Sequence, residues 1–354
     1  MTVDRKKLVI LYTELAGYTL ASLVDFSKRF PETEIHIVRW PVNKEAPFNF
    51  VFPGEWKIYE RNSFSDLMLK KLVDNIGPTA ILCSGWMDKD YVSVCREWKK
   101  KIPVILVMDN KWERKLKQYV AVAISRFTIL KIFNRCWVPG NSQKQYALRL
   151  GFRPEQIRTG YYTADVAFYN EIFEKWMPEK KQHFPHRFIY AGRYHDSKGV
   201  NELWNAFARL KKETGNDWEL WCLGTGSVTP FAHPSIRHYG FLQPEEMADI
   251  LKDCGVFILP SKVEPWGVVV HEFAAAGFPL ALSDQVGATD TFLEEGKNGF
   301  LFAAGDSNAI FNSMKRFTET PDHVLWEMGE YSHKLAQTYT PGLWATTLNS
   351  LMAM

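Results

Sequence analysis

The sequence predicts an α/β protein of two doubly wound domains, and three observations lead there. Its 354 residues exceed what a single domain usually holds. Short runs rich in Val, Ile and Leu alternate with stretches of helical period, the pattern of strand-helix-strand units around a parallel sheet. The alternation lapses between Ala164 and His186, a stretch rich in Pro, Lys and aromatic residues without a clear period, and then restarts. We therefore expect domains over residues 1–165 and 166–335, with a C-terminal helix at about 336–354 packing back on the first.

The elements follow in order. In the first half, strands are expected at Lys7–Tyr12, Glu34–Val38, Thr79–Ser84, Pro103–Met108 and Arg135–Val138, with helices between them. The second half gives strands at Arg187–Ala191, Trp218–Leu223, Ile236–Tyr239, Gly255–Leu259, Pro279–Ser283 and Gly299–Phe302. In open sheets of this kind ligands bind beyond the carboxyl ends of the strands, so chemistry is expected in the residues just after each one, on the cleft between the domains.

Composition narrows the function class. At 46% hydrophobic and 23% charged, the chain is neither disordered nor fibrous. Its longest apolar stretches, at 120–124 and 255–260, fall short of the roughly 20 residues of a membrane span. Asp4, Arg5, Lys6 and Lys7 lead into a short apolar run that reads as a first strand rather than a secretory signal. The five cysteines are scattered and lack CxxC spacing, which suggests neither a disulfide framework nor a zinc site and fits a reducing cytoplasm.

The net charge of +3 is unevenly spread: residues 1–150 carry 25 Lys and Arg against 15 Asp and Glu, and residues 151–354 carry 18 against 25. Part of the basic excess interleaves with large apolar groups in segment 111–135, where Lys111, Arg114, Lys115, Lys117, Arg126, Lys131 and Arg135 alternate with Tyr119, Val120, Ile124, Phe127 and Phe133. Two readings stand: a long surface helix with its apolar face on its own core, or a face for anionic lipid or a lipid-linked substrate. Nucleic acid is not expected, because the whole-chain charge is nearly balanced and no nucleic-acid module is visible.

The most informative stretch runs from Ser261 to Pro279. Gly267 and Val268 should open a helix that closes at Gly277. Its first backbone N–H groups, at Gly267, Val268 and Val269, would be an anion seat. Glu272 falls among Val, Phe and Ala in that helix, where a carboxylate needs partners such as ribose hydroxyls. Glu264 precedes the helix on the same rim. Glu-x7-Glu between a strand and a short helix ending in Ala-Gly resembles the signature of retaining glycosyltransferases of the GT-B fold, particularly family 4, the glycosyl transferases group 1. Tyr190-Ala191-Gly192-Arg193, followed by Lys198-Gly199, resembles that family's strand-end Gly-Arg and following Lys-Gly. Leu223-Gly224-Thr225-Gly226 resembles its Gly-x-Gly turn, and Tyr239-Gly240-Phe241-Leu242 its segment beside the nucleotide base. As a dinucleotide fingerprint Gly224-x-Gly226 fails, because position 229 is Thr.

The resemblance covers residues 187–305 in order and spacing, and the first half only by architecture. It implies two Rossmann-like domains facing each other across a cleft and transfer of a sugar, with retention, from a UDP- or GDP-sugar to an acceptor hydroxyl. Arg193 and Lys198 would hold the diphosphate, Glu272 the ribose and Glu264 the sugar hydroxyls, with Gly224, Gly226 and Phe241 around the nucleotide. No cofactor beyond the donor is expected, nor a metal, since two fixed cations and a helix N-terminus can carry the leaving-group charge. The acceptor is expected to be a glycan or lipid-linked saccharide of bacterial surface polysaccharide, and the protein cytoplasmic or peripheral on the membrane's inner face. Other GT-B activities, such as a nucleotide-sugar epimerase, and a non-catalytic nucleotide-binding subunit are the rivals.

The first half departs from the family pattern in two places. The Gly-Gly loop expected after the first strand is Glu14-Leu15-Ala16-Gly17 here, leaving Gly17 alone to let the backbone approach the donor. Met108 stands where relatives place a His, so Asp109 becomes the polar candidate for contacting the sugar or acceptor, or else caps the next helix. Asp88-x-Asp90 matches a metal motif of the other glycosyltransferase fold but reads as a helix N-cap.

Overall fold

The structure is a computed structural model that describes residues 5–42 and 47–353. Its first half runs β1 (Lys6–Tyr12), α1 (Gly17–Arg29), β2 (Thr33–Arg39), β3 (Lys57–Glu60), α2 (Asp66–Ile76), β4 (Ala80–Ser84), α3 (Lys89–Trp98), β5 (Val104–Val107), α4 (Leu116–Ile124), β6 (Arg135–Trp137), α5 (Asn141–Arg149) and β7 (Ile157–Arg158). The second half runs α6 (Val166–Gln182), β8 (Arg187–Ala191), α7 (Val200–Thr214), β9 (Glu219–Leu223), β10 (Ile236–Gly240), α8 (Pro244–Leu251), β11 (Val256–Leu259), α9 (Val268–Ala275), β12 (Leu280–Ser283), α10 (Thr289–Phe292), β13 (Gly299–Phe302), α11 (Ser307–Thr318), α12 (Asp322–Ala336) and α13 (Pro341–Ala353).

Two compact units result. The first holds the described residues up to 42 with 48–163 and 339–353; the second holds 164–338 with Pro47. The first is built on a parallel sheet of order β3-β2-β1-β4-β5-β6-β7, and the second on one of order β10-β9-β8-β11-β12-β13. In each the chain winds outward from a first strand in both directions, which sets a switch point between β1 and β4 and another between β8 and β11.

Local chemistry accounts for the helices. Ser65 caps α2 by accepting from the Met68 amide, and Gly77 ends it with φ of 63°. In α7, Val200, Leu203, Trp204, Phe207 and Leu210 are buried at helical spacing, so one stripe covers the sheet. The last helix, α13, closes the first unit: Trp344, Leu348 and Leu351 enter the core formed with β1 and α1, and the Trp344 indole donates to the Tyr161 carbonyl at 2.6 Å.

Four parts of the chain differ from the sequence expectation. The stretch 164–186, read as an aperiodic connection, contains the 17-residue helix α6. Its apolar spacing is masked by Pro178 inside it and by a buried lysine, Lys180, whose ammonium lies 3.8 Å from the centroid of the Phe278 ring. The edge strands β3 and β7 went unseen because they are short and pair on one side only. Segment 111–135 is not one long helix: α4 gives way to 3₁₀ turns at Ser125–Phe127 and Ile129–Lys131.

Candidate functional site

In the second unit, the ends of β8 and β11 bring the sequence-predicted residues together. β8 stops at Ala191, and Arg193, the 3₁₀ turn Asp196–Lys198 and Gly199 follow. Gly199 has φ of 68° and starts α7; a side chain there would meet the Pro260 carbonyl oxygen at 2.2 Å, so the turn is pressed against the loop after β11. Lys262 fastens the two from the other side, with its ammonium 2.8 Å from Asp196 and 2.9 Å from Glu202, while the Lys262 and Val263 amides donate to the Ser197 carbonyl. The result places the Lys198 ammonium 2.5 Å from the Glu264 carboxylate, both largely withdrawn from solvent, and Ser261 Oγ donates to the same carboxylate oxygen at 3.4 Å. Arg193 has no ion-pair partner among the described residues.

The loop 261–267 is held on its far side as well. The amides of Gly287 and Ala288 donate to the carbonyls of Glu264 and Trp266 at 3.0 and 2.9 Å. Gly267 takes φ of 89° as the N-cap of α9, a conformation that β-carbon-bearing residues rarely adopt. It offers no capping side chain, so the first amides of α9, including those of Val268 and Val269, begin the helix uncapped.

Glu272 lies one turn into α9. Burial pushes its carboxyl up to about 7; the Tyr169 hydroxyl, bonded to it, works against that rise and the Asp165 charge adds to it. Tyr169 and Asp165 belong to α6 and its N-cap, and sequence reasoning missed both because they fall in the stretch it read as a connection. The neighbouring His271 is structural. Its Nδ1 accepts the Ala164 amide at 3.0 Å, its Nε2 donates to the Ala336 carbonyl at 2.9 Å, its ring stacks on Phe292 at 4.3 Å, and burial pushes it down to about 4.

Gly224 and Gly226 have a packing reason. Side chains would meet the Gly192 carbonyl oxygen at 1.9 Å and that of Tyr194 at 2.4 Å, so both glycines let the loop after β9 lie against the loop after β8. Phe241 follows β10, half-buried, three residues ahead of α8.

The first unit holds the remaining candidates. Gly17 opens α1 behind Ala16, with open space where a side chain would go, so packing does not demand a glycine there. Met108 is buried after β5. Asp109 beside it is half-buried, receives the Tyr162 hydroxyl at 3.5 Å, and caps no helix, since α4 begins at Leu116. Asp88 caps α3 by accepting the Asp90 and Tyr91 amides, and Arg61 bonds both Asp88 and Asp90, so these carboxylates are committed within the unit.

Known proteins share part of this sequence and the whole of its fold. Residues 185–320 match the model described as glycosyl transferases group 1. The glycogen synthase of Mycobacterium tuberculosis is 27% identical over 146 residues, 39% of this chain and 35% of that protein. An uncharacterised 41.2 kDa protein in the cps region of Klebsiella pneumoniae is 22% identical over 235 residues, 62% of this chain and 63% of the relative. The matches thus span about a third of the first of these relatives and less than two thirds of the second. A crystal structure of the Anabaena protein HepE with UDP and glucose superimposes with a TM-score of 0.70 at 13% identity, covering 97% of this chain and 99% of that one. The fold is GT-B, with two parallel-sheet Rossmann-like domains.

Proposed function

We propose that the protein transfers a sugar from a nucleotide diphosphate sugar to an acceptor hydroxyl with retention at the anomeric carbon. The observation that carries the reading is the Lys198–Glu264 pair, a cation and a carboxylate held at the ends of β8 and β11 beside the uncapped start of α9. Arg193, Lys198 and the amides of Val268 and Val269 bind the diphosphate and take up the charge that develops as it leaves. Glu272 accepts the ribose hydroxyls, and Glu264 turns to the sugar hydroxyls. The departing diphosphate accepts the acceptor proton on the same face, so that the chain positions groups and stabilises charge without a carboxylate nucleophile or a metal. The UDP held by the Anabaena protein makes a UDP-sugar the first donor to test.

The acceptor in this reading is a lipid-linked saccharide of bacterial surface polysaccharide, used at the cytoplasmic face of the membrane; the cps-region relative supports it. One observation favours a second reading, a non-catalytic nucleotide-binding subunit: the residue just after β5, where the family resemblance implies a His, is the buried Met108.

A thermal-shift screen against UDP, GDP, ADP, TDP and their sugar conjugates, with and without EDTA, tests the donor half. A selective rise with one nucleotide, unchanged by EDTA, supports the site described. No rise with any nucleotide overturns it. Donor binding without transfer to any acceptor favours the subunit reading.

A further inference from the structure

The first unit carries a helix turned inside out. On α4, the residues facing the core are Gln118, Ala121 and Val122, only half-buried, while Leu116, Tyr119, Val120 and Ile124 point to solvent. Leu116 is 80% exposed and Phe127, just beyond the helix, 68%. No residue of α4 itself is buried. An amphipathic surface helix normally does the reverse, and an exposed apolar patch of this kind marks an interaction surface.

The inversion is built in. Gln118 fixes the helix from inside, its amide donating to the Lys111 carbonyl at 2.7 Å while its oxygen receives the Glu113 amide at 2.7 Å. Trp112, itself packed against the core, meets Tyr119 edge-on with centroids 4.9 Å apart, and the Lys131 ammonium lies over the Phe127 ring at 5.7 Å. Around the apolar face stand Arg114, Lys115, Lys117, Arg126 and Lys131, all exposed, against the single carboxylate of Glu113, which is paired with Lys115 at 3.0 Å.

We propose that this face, the outer side of α4 with Phe127, docks on an anionic lipid bilayer. Large apolar groups ringed by cations suit the headgroup boundary, where the apolar side chains leave water and the cations meet lipid phosphate. A protein partner would have to supply an apolar surface and an acidic rim together. A second copy of this chain would set like charges against each other. The inference rests on the lipid-linked acceptor reading for its use, and it gives the partner that would bring the acceptor side of the chain to its substrate.

The test is cosedimentation of the full chain with vesicles of phosphatidylcholine alone or mixed with phosphatidylglycerol, at low and high salt. Binding is expected only to the mixed vesicles, and weaker at high salt. Each basic residue near such a surface contributes about fivefold to affinity, so K117Q/R126Q/K131Q should bind roughly a hundredfold more weakly. L116S/F127S keeps every charge and should also release the protein. Equal binding to both vesicle types, binding to neither, or unchanged binding by both variants overturns the proposal. Loss of self-association in L116S/F127S, measured by sedimentation velocity, assigns the face to a second copy and overturns it as well. The donor-induced thermal shift, which reads the second unit, should survive in both variants; its absence in the wild type would count against the donor reading and leave the docking result standing.

Discussion

Replacing Glu264 by Gln separates the two things Lys198 is asked to do. Without a donor, the Lys198 ammonium is spent on the Glu264 carboxylate at 2.5 Å, with side-chain exposures of 15% and 12%. A diphosphate must share that cation or displace the carboxylate. Hydrogen bonds between charged groups contribute about 1.5–3 kcal/mol net, and partial exposure places this pair near the lower end. Glu264→Gln removes the competing charge in nearly the same volume, so affinity for the nucleotide diphosphate should rise about tenfold. In the proposed reaction transfer should fall by roughly 100-fold or more, because Glu264 would there hold the sugar hydroxyls in the transition state. Isothermal titration with the diphosphate and with its sugar conjugate, beside a transfer assay, reads both effects. Equal weakening of both ligands would refute the argument, since it would make Glu264 a support of the diphosphate seat instead of its occupant.

The other outcomes follow from the same geometry. Gly224→Ala places a methyl group 1.9 Å from the Gly192 carbonyl oxygen and should cost about 2–3 kcal/mol in chemical denaturation, whereas Gly17→Ala meets open space and should leave the midpoint unchanged while weakening donor binding if the backbone approaches the donor there. Glu272 has a carboxyl raised from 4.5 to about 7, so its ionisation opposes folding: the penalty is absent below pH 4.5, grows as pH rises to 7 and stays above it. Glu272→Gln should therefore add about 1–2 kcal/mol at pH 8 and nothing at pH 4, read from urea midpoints at the two pH values. His186 shows the opposite sign. Burial works to lower it, but bonds to Asp322 and Asp217 at 2.9 and 2.8 Å outweigh that and raise it above 6.5. Its stabilisation is complete below pH 6.5 and lost as pH passes the raised value, a slope that His186→Gln should abolish in the same titration.

The second unit was legible in the sequence because its chemistry is local. Gly192-Arg193, Lys198-Gly199 and Glu264-x7-Glu272 each sit at the end of one strand or the start of one helix, so order and spacing place them without tertiary knowledge. What the sequence withheld is tertiary. Tyr169 reaches Glu272 from a helix that Pro178 and Lys180 disguised, and no spacing rule links residues so far apart in the chain. Gly224 and Gly226, placed around the nucleotide by their spacing, also admit the loop after β8 against their own, a packing contact that spacing does not reveal. Segment 111–135 was read as basic and amphipathic, but periodicity reports only that a helix has two faces, not which one meets the core. The orientation was set by Gln118, whose two bonds to the Lys111–Glu113 loop turn the polar residue inward and leave Leu116, Tyr119, Val120 and Ile124 facing out. A glutamine at the core side of a helix with leucine and isoleucine outside is a poor use of apolar surface for an isolated domain, and that imbalance is the physical reason to expect a partner at this face.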